Sequence, residues 1–368
     1  MEKGKISALQ MGVILYPTII ATAILTLSSI TAKYAKNDVW ISPIWASLIG
    51  FLAAYLAYKL HKLYPKESVI QYSVRIVGFV PGKIIGLVIL FFYLQINGAV
   101  IRQYAEFIIG VFLPHTPISV VMSVMVLLCV SATQGGIEIL GRTAQMFFPL
   151  IVLPLIFIIL MLVTDVDFKN IFPVMEHGIL PSIKGAMLPQ AWFAELFMIT
   201  FILPFLTNGE KAMKWSMLSA LSVLLTLVAT NLITLSLYGG NLSRFVYPFM
   251  NAARYISKAD FFENLESIII VMWAFGVFVK LSFHLYATSL GFAQWLNLSD
   301  YRPIVIPIAY FSVIFSFWDL PNLAELSRFF VQSSPFYMLL INIAIPILLL
   351  IIALLRKRTR MPKEDRPG

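Results

Sequence analysis

The sequence is short of charge. Asp, Glu, Lys and Arg make up only 12% of its 368 residues, against 60% apolar residues and a mean hydropathy of +0.87. A water-soluble domain carries about a quarter of its residues as charges to cover its outside. This scarcity argues against a soluble enzyme, a disordered scaffold or a nucleic-acid binder, despite a net charge of +9. Cysteine is nearly absent: Cys129 stands alone, so no disulfide forms within the chain. His61, His115, His177 and His284 lie far apart, none at a ligand spacing from another His or Cys. No metal, cofactor or redox chemistry is expected, and no nucleophile signature suggests an enzyme. Long polar segments are missing too. The longest stretches outside apolar runs, 59–83, 164–187 and 239–265, fall well below the roughly 40 residues of an independent domain.

What is present is a series of apolar runs. A bilayer core about 30 Å thick asks for roughly 20 apolar residues per helix. Ten runs of that kind emerge, near 8–32, 41–58, 84–112, 118–133, 144–163, 188–206, 217–238, 266–295, 303–318 and 335–355. The sequence predicts an all-α integral membrane protein forming one transmembrane domain over 1–368. Its two repeats are expected at about 8–163 and 188–355, followed by a basic tail at 356–368. The first run is too long for a cleavable signal peptide, lacks a small-residue cleavage site and precedes nine more spans. With an even number of spans both ends share one side. That side holds most of the Lys and Arg, among them Lys59, Lys62, Arg75, Arg142, Lys211, Arg302 and the run Arg356 to Arg360. Fewer, such as Lys33, Lys169, Lys184, Lys258 and Arg328, fall opposite. Positive residues in short loops stay on the cytoplasmic side, so both termini are expected there. The tail then faces anionic membrane lipid, worth ~1 kcal/mol per residue. It is too short and too close to a span to suggest a nucleic-acid partner.

Ionisable groups at membrane depth are costly and usually face a bundle interior or a wet cavity. Four are expected there, Arg102, Glu106, Glu195 and Lys280, and their charges sum to zero. Arg102 and Glu106 are four apart on span three and can pair on one stripe with Gln95 and Ala99. Lys280 lies mid-span in span eight, on a stripe with Trp273, Val277, His284 and Thr288. It is too deep to reach either interface, so it needs an anionic or carbonyl partner or must lose its proton. Two readings stay open for these charges, a salt bridge tying helices together or a group at a binding site.

Spans one and six each carry signs of interruption. Pro17 removes a backbone donor within Tyr16-Pro17-Thr18-Ile19-Ile20-Ala21-Thr22-Ala23, and Glu195 ends the stretch Pro189 to Glu195, preceded by Gly185 and followed by Pro204. Interrupted segments at matching positions of two halves point to the substrate site of inverted-repeat carriers. An ordinary proline kink in each is the alternative.

Several fragments, in order, resemble a known family. They are Gln10 before the first span, Asp38-Val39-Trp40-Ile41-Ser42, the Arg102 to Glu106 segment, His115-Thr116-Pro117-Ile118, and Gly135-Gly136-Ile137 with Arg142 and Phe148-Pro149. Glu263-Asn264-Leu265-Glu266-Ser267 before span eight, with Trp273, completes the set. Together they resemble the B subunit of spore germinant receptors, the spore germination permease branch of the amino acid, polyamine and organocation transporter superfamily. The resemblance covers essentially the whole chain. It implies a five-plus-five inverted repeat (LeuT-like fold) with helices one and six interrupted around a small-molecule site. It also implies residence in the inner membrane of the endospore, recognition of a nutrient such as an amino acid or sugar, and assembly with an A subunit and a lipoprotein C subunit. Relatives often place Gly-x-Gly in the first break, where this chain has Ala21-Thr22-Ala23, so carboxylate capture by bare backbone is less secure here.

On this reading Tyr16, Pro17, Thr18, Ala21 and Thr22 of span one line the ligand site. Trp192 and Phe193 wall it, and Glu195 meets an ammonium or a sugar hydroxyl. Lys280 stands where a cation bridges helices one and eight in sodium-coupled relatives, and His284, Arg102 and Glu106 complete a coupling set. A ligand-sensing receptor subunit and a proton-coupled secondary transporter of amino acids or similar solutes both need this cavity.

Overall fold

The computed structural model describes residues 2–254 and 266–360. Lys258, the motif residues 263–265 and the tail beyond 360 lie outside the described residues, and Arg356 is the last residue whose side chain is described. The described chain is almost wholly helical. Its helices are α1 (Ala8–Ala35), α2 (Ser42–Leu63), α3 (Val69–Val77), α4 (Phe79–Val111), α5 (Ile118–Gln134), α6 (Ile137–Leu162), α7 (Leu180–Gly185), α8 (Met187–Ala194), α9 (Ala212–Tyr238), α10 (Pro248–Arg254), α11 (Glu266–Leu296), α12 (Arg302–Trp318), α13 (Leu323–Arg328), α14 (Ser334–Leu339) and α15 (Ile345–Arg360).

Among the described residues seven helical segments are long and apolar enough to cross a membrane. Two shorter apolar helices, α5 and α12, have 17 residues each, or about 25 Å at 1.5 Å per residue, the short end of what spans a bilayer core. A broken segment starting at α8 supplies the sixth crossing, so the ten expected spans all appear. Helices suit this chain because each satisfies its own backbone groups where no water can do so. The last crossing begins at Leu323, earlier than expected, and runs through two π-helical stretches, Phe329–Ser333 and Leu340–Ala344, into α15.

Span three starts at Phe79 rather than 84, because the preceding loop holds a helix of its own. Ser68 and Gln71 form a capping box for α3, and Gly78 turns the chain with φ +101°. Gly82 then packs so closely on α3 that a Cβ there would lie 2.4 Å from Val74 Cα. The core is centred on α1, which packs against α9, α11 and α6, while α4 packs against α12, α3 and α11, and α2 against α8 and α9. Buried at the meeting of α1, α11 and the broken sixth crossing are Thr22, Glu195, Lys280 and His284.

Candidate functional site

The sixth crossing changes geometry at Glu195. After eight α-helical residues the chain tightens to a 3-10 helix over Glu195–Phe201 and again over Leu203–Phe205. Seven residues is long for a 3-10 run, whose hydrogen bonds are poorer than those of an α-helix, and such stretches mark hinges or strain. Pro204, which lacks an N–H, helps to keep the α-helix from resuming. The expected interruption of span six is present, and its first residue is the buried carboxylate.

That carboxylate meets two other helices. Lys280 on α11 donates from Nζ to Glu195 Oε2 at 2.8 Å and to Thr22 Oγ1 on α1 at 2.9 Å. One ammonium thus joins α1, α11 and the start of the 3-10 segment. Lys280 and His284 are 0% exposed and Glu195 1%, so water does not screen the pair. His284 Nε2 stands 3.8 Å from the same Glu195 oxygen, beyond hydrogen-bond reach but close enough for an ionic contact if the ring takes a proton. Glu195 Oε1 and both His284 ring nitrogens are buried without a hydrogen-bond partner among the described residues. Buried polar groups normally find partners, so unmade bonds of this kind mark either an unusual cost or a place where a polar solute fits.

Span one differs from expectation. α1 runs unbroken from Ala8 to Ala35 with Pro17 inside it. Pro17 leaves the Val13 carbonyl without its helical donor, while Thr18 Oγ1 donates to the next carbonyl, Ile14 O, at 2.8 Å; one lost bond is small against a helix of 28 residues. Alanine at positions 21 and 23 adds to this, since it favours helix by about 1 kcal/mol per residue over glycine. The bare amides of an unwound first helix are therefore not part of the site. Its carbonyls are used instead. Trp273 Nε1 of α11 donates to Ala21 O, and Gln103 Nε2 of α4 donates to Thr22 O at 3.1 Å. Gly276 permits the close α1–α11 approach, since a Cβ there would lie 3.2 Å from the Ala21 Cβ.

Other expected site residues point elsewhere. The Tyr16 hydroxyl pairs with Thr226 Oγ1 at 2.9 Å and its ring packs edge-on against Phe148, which turns it toward α9 and α6. Thr18 is occupied in its own helix. Trp192 lies edge-on to Phe330, 6.1 Å between centroids, and Phe193 presses on Gly50 of α2, where a Cβ would come within 2.6 Å of its ring. Both aromatics face neighbouring helices rather than walling a chamber beside Glu195, because successive helical residues are turned about 100° from one another. Arg102 and Glu106 pair as their spacing implied, at 2.5 and 2.8 Å, and Arg102 also donates to Pro321 O at 2.6 Å. This pair ties α4 to the turn after α12 and makes no contact with the Lys280 cluster.

Neutral polar groups that the sequence reading did not single out also meet inside the spans. Asn97 on α4 donates to Thr288 Oγ1 at 3.2 Å, and its Oδ1, like Gln103 Oε1, is buried without a partner among the described residues. Tyr93 donates to Asn342 Oδ1 at 2.7 Å, and Thr200 of the 3-10 segment meets Tyr72 and the Val69 amide at 3.1 Å each. Amides and hydroxyls within apolar spans carry the same obligation to be satisfied as charges, at lower cost; that was the signal available. The arrangement offers a carboxylate, an ammonium, an imidazole and, on the neighbouring α4, two amide oxygens, all buried in the helix bundle. Among the described residues no group of three or more His, Cys, Asp or Glu could hold a metal.

The family and the fold are shared with proteins of known sequence and structure. The chain is 24% identical to spore germination protein KB of Bacillus subtilis over 366 residues, covering 98% of this chain and 97% of that protein. It is 27% identical to spore germination protein YndE of the same organism, over 96% and 98%, and 29% identical to its putative spore germination protein YfkT, over 86% and 87%. Among solved structures it resembles Mhp1, a nucleobase-cation-symport-1 family transporter, with a TM-score of 0.64 at 12% identity over 99% of this chain and 81% of that one. A Na+-coupled sialic acid symporter gives 0.61 at 16% identity, over 90% and 78%. At such identities these two show a shared LeuT-like fold; the seven long apolar helices are what mark an integral membrane protein. The Spore_permease family model, described as spore germination protein, matches residues 5–323. The chain belongs to that family, the permease-like B subunits its sequence resembles.

Proposed function

We propose that this protein is the nutrient-sensing subunit of a spore germinant receptor. It binds a small polar germinant, an amino acid or a sugar, at the junction of α1, α11 and the 3-10 segment. It passes the resulting helix movement to an A subunit and a lipoprotein C subunit in the inner membrane of the spore, with both termini cytoplasmic. The observation that carries this reading is the Glu195–Lys280–Thr22 bridge, which places opposite charges and unpaired polar atoms where a broken helix meets two continuous ones. Sites of carriers with this architecture sit near the bilayer midplane at broken helices. A ligand shifts such a junction only by as much as its affinity differs between two states. In the second state Glu195 trades Lys280 for a ligand amine or hydroxyl, and the 3-10 segment, whose hydrogen bonds are poorer than those of an α-helix, shifts with it.

The symporter fold keeps a second reading in view, a proton-coupled carrier of the same class of solute, with Lys280 in the place of a coupling cation. Germination of spores lacking this gene, scored across a panel of amino acids and sugars beside uptake of the same solutes into vesicles holding the protein, separates the two. A response lost to one nutrient without accumulation supports the receptor. Robust accumulation with normal germination supports the carrier.

A further inference from the structure

The residues just before α1 are bound to several parts of the bundle. Glu2 Oε1 accepts from the Lys3 and Gly4 amides at 2.8 and 2.7 Å. Its Oε2 accepts from the Ile137 amide at 3.0 Å and the Tyr301 hydroxyl at 3.2 Å. Ile137 is the first residue of α6, so the carboxylate sits where the helix dipole favours a negative charge. Gly136, at φ +87°, opens the place for it: a Cβ there would lie 3.1 Å from Glu2 Oε2. This accounts for the Gly135-Gly136-Ile137 motif, which has no role in the core junction. Burial and the neighbouring Glu2 push the Tyr301 hydroxyl above the usual tyrosine range, so it stays a donor, shared between Glu2 and Thr133 O at 3.1 Å.

Farther along, Ile6 makes a parallel bridge with Leu206. Its amide donates to Phe205 O at 3.1 Å and its carbonyl accepts from Thr207 N at 2.9 Å. Ala8 N donates to Asn208 Oδ1 at 2.7 Å, and a capping box between Ser7 and Gln10 starts α1. Residues 2–7 thus reach three connections on one face of the bundle: α5 to α6, the sixth crossing to α9, and α11 to α12. The same face carries the end of α15, where Arg356 Nη1 lies 3.5 Å from Arg75 O. The two chain segments joined by the Ile6 bridge lead directly into α1 and back into the 3-10 segment, the elements that hold Thr22 and Glu195. Beside the strap lies a solvent-open cavity of about 380 Å³, lined by Glu2, Lys3, Glu138, Asp300 and Arg302, which leaves room for it to lift.

We propose that residues 2–7 are a strap that holds this face of the bundle closed, with the Glu2 carboxylate as its latch on the start of α6, and that the strap must release for α1 and the sixth crossing to move apart. The latch and the junction are coupled because the same two chain segments carry both. The inference rests on the proposed germinant reading only for what drives release, and its test needs no germinant.

The test is hydrogen exchange of the full-length protein in lipid nanodiscs, comparing wild type with Glu2→Gln and Tyr301→Phe. Loss of a charge-assisted hydrogen-bond set is expected to speed exchange about tenfold or more in Glu2→Gln. The faster exchange should appear in residues 2–8 and 135–140 and also in 203–209, which Glu2 does not touch, with Tyr301→Phe showing the same pattern more weakly. Faster exchange confined to 2–4 and 135–138 would reduce Glu2 to a local helix cap and overturn the proposal, as would no change in either variant. Germinant responsiveness plays no part in this outcome, so the strap and the nutrient site fail separately.

Discussion

Removing Lys280 tests whether the buried charges serve the architecture, the site, or both. In Lys280→Met the volume is nearly kept, but Glu195 is left as a carboxylate with 1% exposure and no ammonium at 2.8 Å. Breaking one side of a buried pair typically costs about 3–5 kcal/mol, and for a chain of this size roughly 2 °C of melting temperature accompanies each kcal/mol. The single variant is therefore expected to melt roughly 6–10 °C lower in detergent. The double variant Glu195→Gln with Lys280→Met removes the orphan charge, and replacing a buried pair by neutral groups is often close to neutral. It should regain most of the loss while its spores stay unresponsive to nutrient. Thermal unfolding of the purified proteins and germination of the matching spores read the two effects apart. A double variant as unstable as the single, or one that is stable and fully responsive, refutes the reasoning. The first would mean that Lys280 works through contacts other than the pair, the second that the junction holds no site.

Three further outcomes follow from the same contacts. Glu195→Gln keeps the shape but not the charge, and a hydrogen bond to a charged group is worth about 1.5–3 kcal/mol, so the nutrient concentration for half-maximal germination should rise about tenfold to a hundredfold; an unmoved curve removes Glu195 from the site. Trp273→Phe deletes the donor to the Ala21 carbonyl and should lower stability by about 1 kcal/mol in thermal unfolding, with no loss if α1 and α11 are not joined there. Gly50→Ala drives a methyl to within 2.6 Å of Phe193, and overpacking of that order costs about 1–3 kcal/mol; a variant as stable as wild type would show that Phe193 faces somewhere other than α2.

Much of this fold is legible in the sequence because the bilayer makes one demand of every span. Runs of about 20 apolar residues give the crossings, and even the two 17-residue helices stand out between Pro117 and Gly135 and after Tyr301. The junction is legible in part for a related reason: Glu195 and Lys280 are too costly at that depth to stand alone, although only the closed bundle shows that they are each other's partner. Less could be read from Pro17. One lost donor is small against a helix of 28 residues, and alanine rather than glycine at 21 and 23 favours an unbroken helix. The facing of Trp192 and Phe193 was hidden too, since it depends on how the sixth crossing rotates between α2 and α14, which neither hydropathy nor spacing records. Asn97 and Gln103 were open to view but uncharged. The latch of Glu2 was beyond reach from sequence, because its partners Ile137 and Tyr301 are brought to it only by the closed bundle.

Hydrogen exchange of the full-length protein in nanodiscs, with and without each amino acid and sugar of a nutrient panel, addresses the central claim most directly. One nutrient should slow exchange in 192–201 and 278–288, the two segments that carry Glu195 and the Lys280–His284 turn, and this protection should disappear in Glu195→Gln. A nutrient that binds while protecting only segments away from this junction would contradict the account.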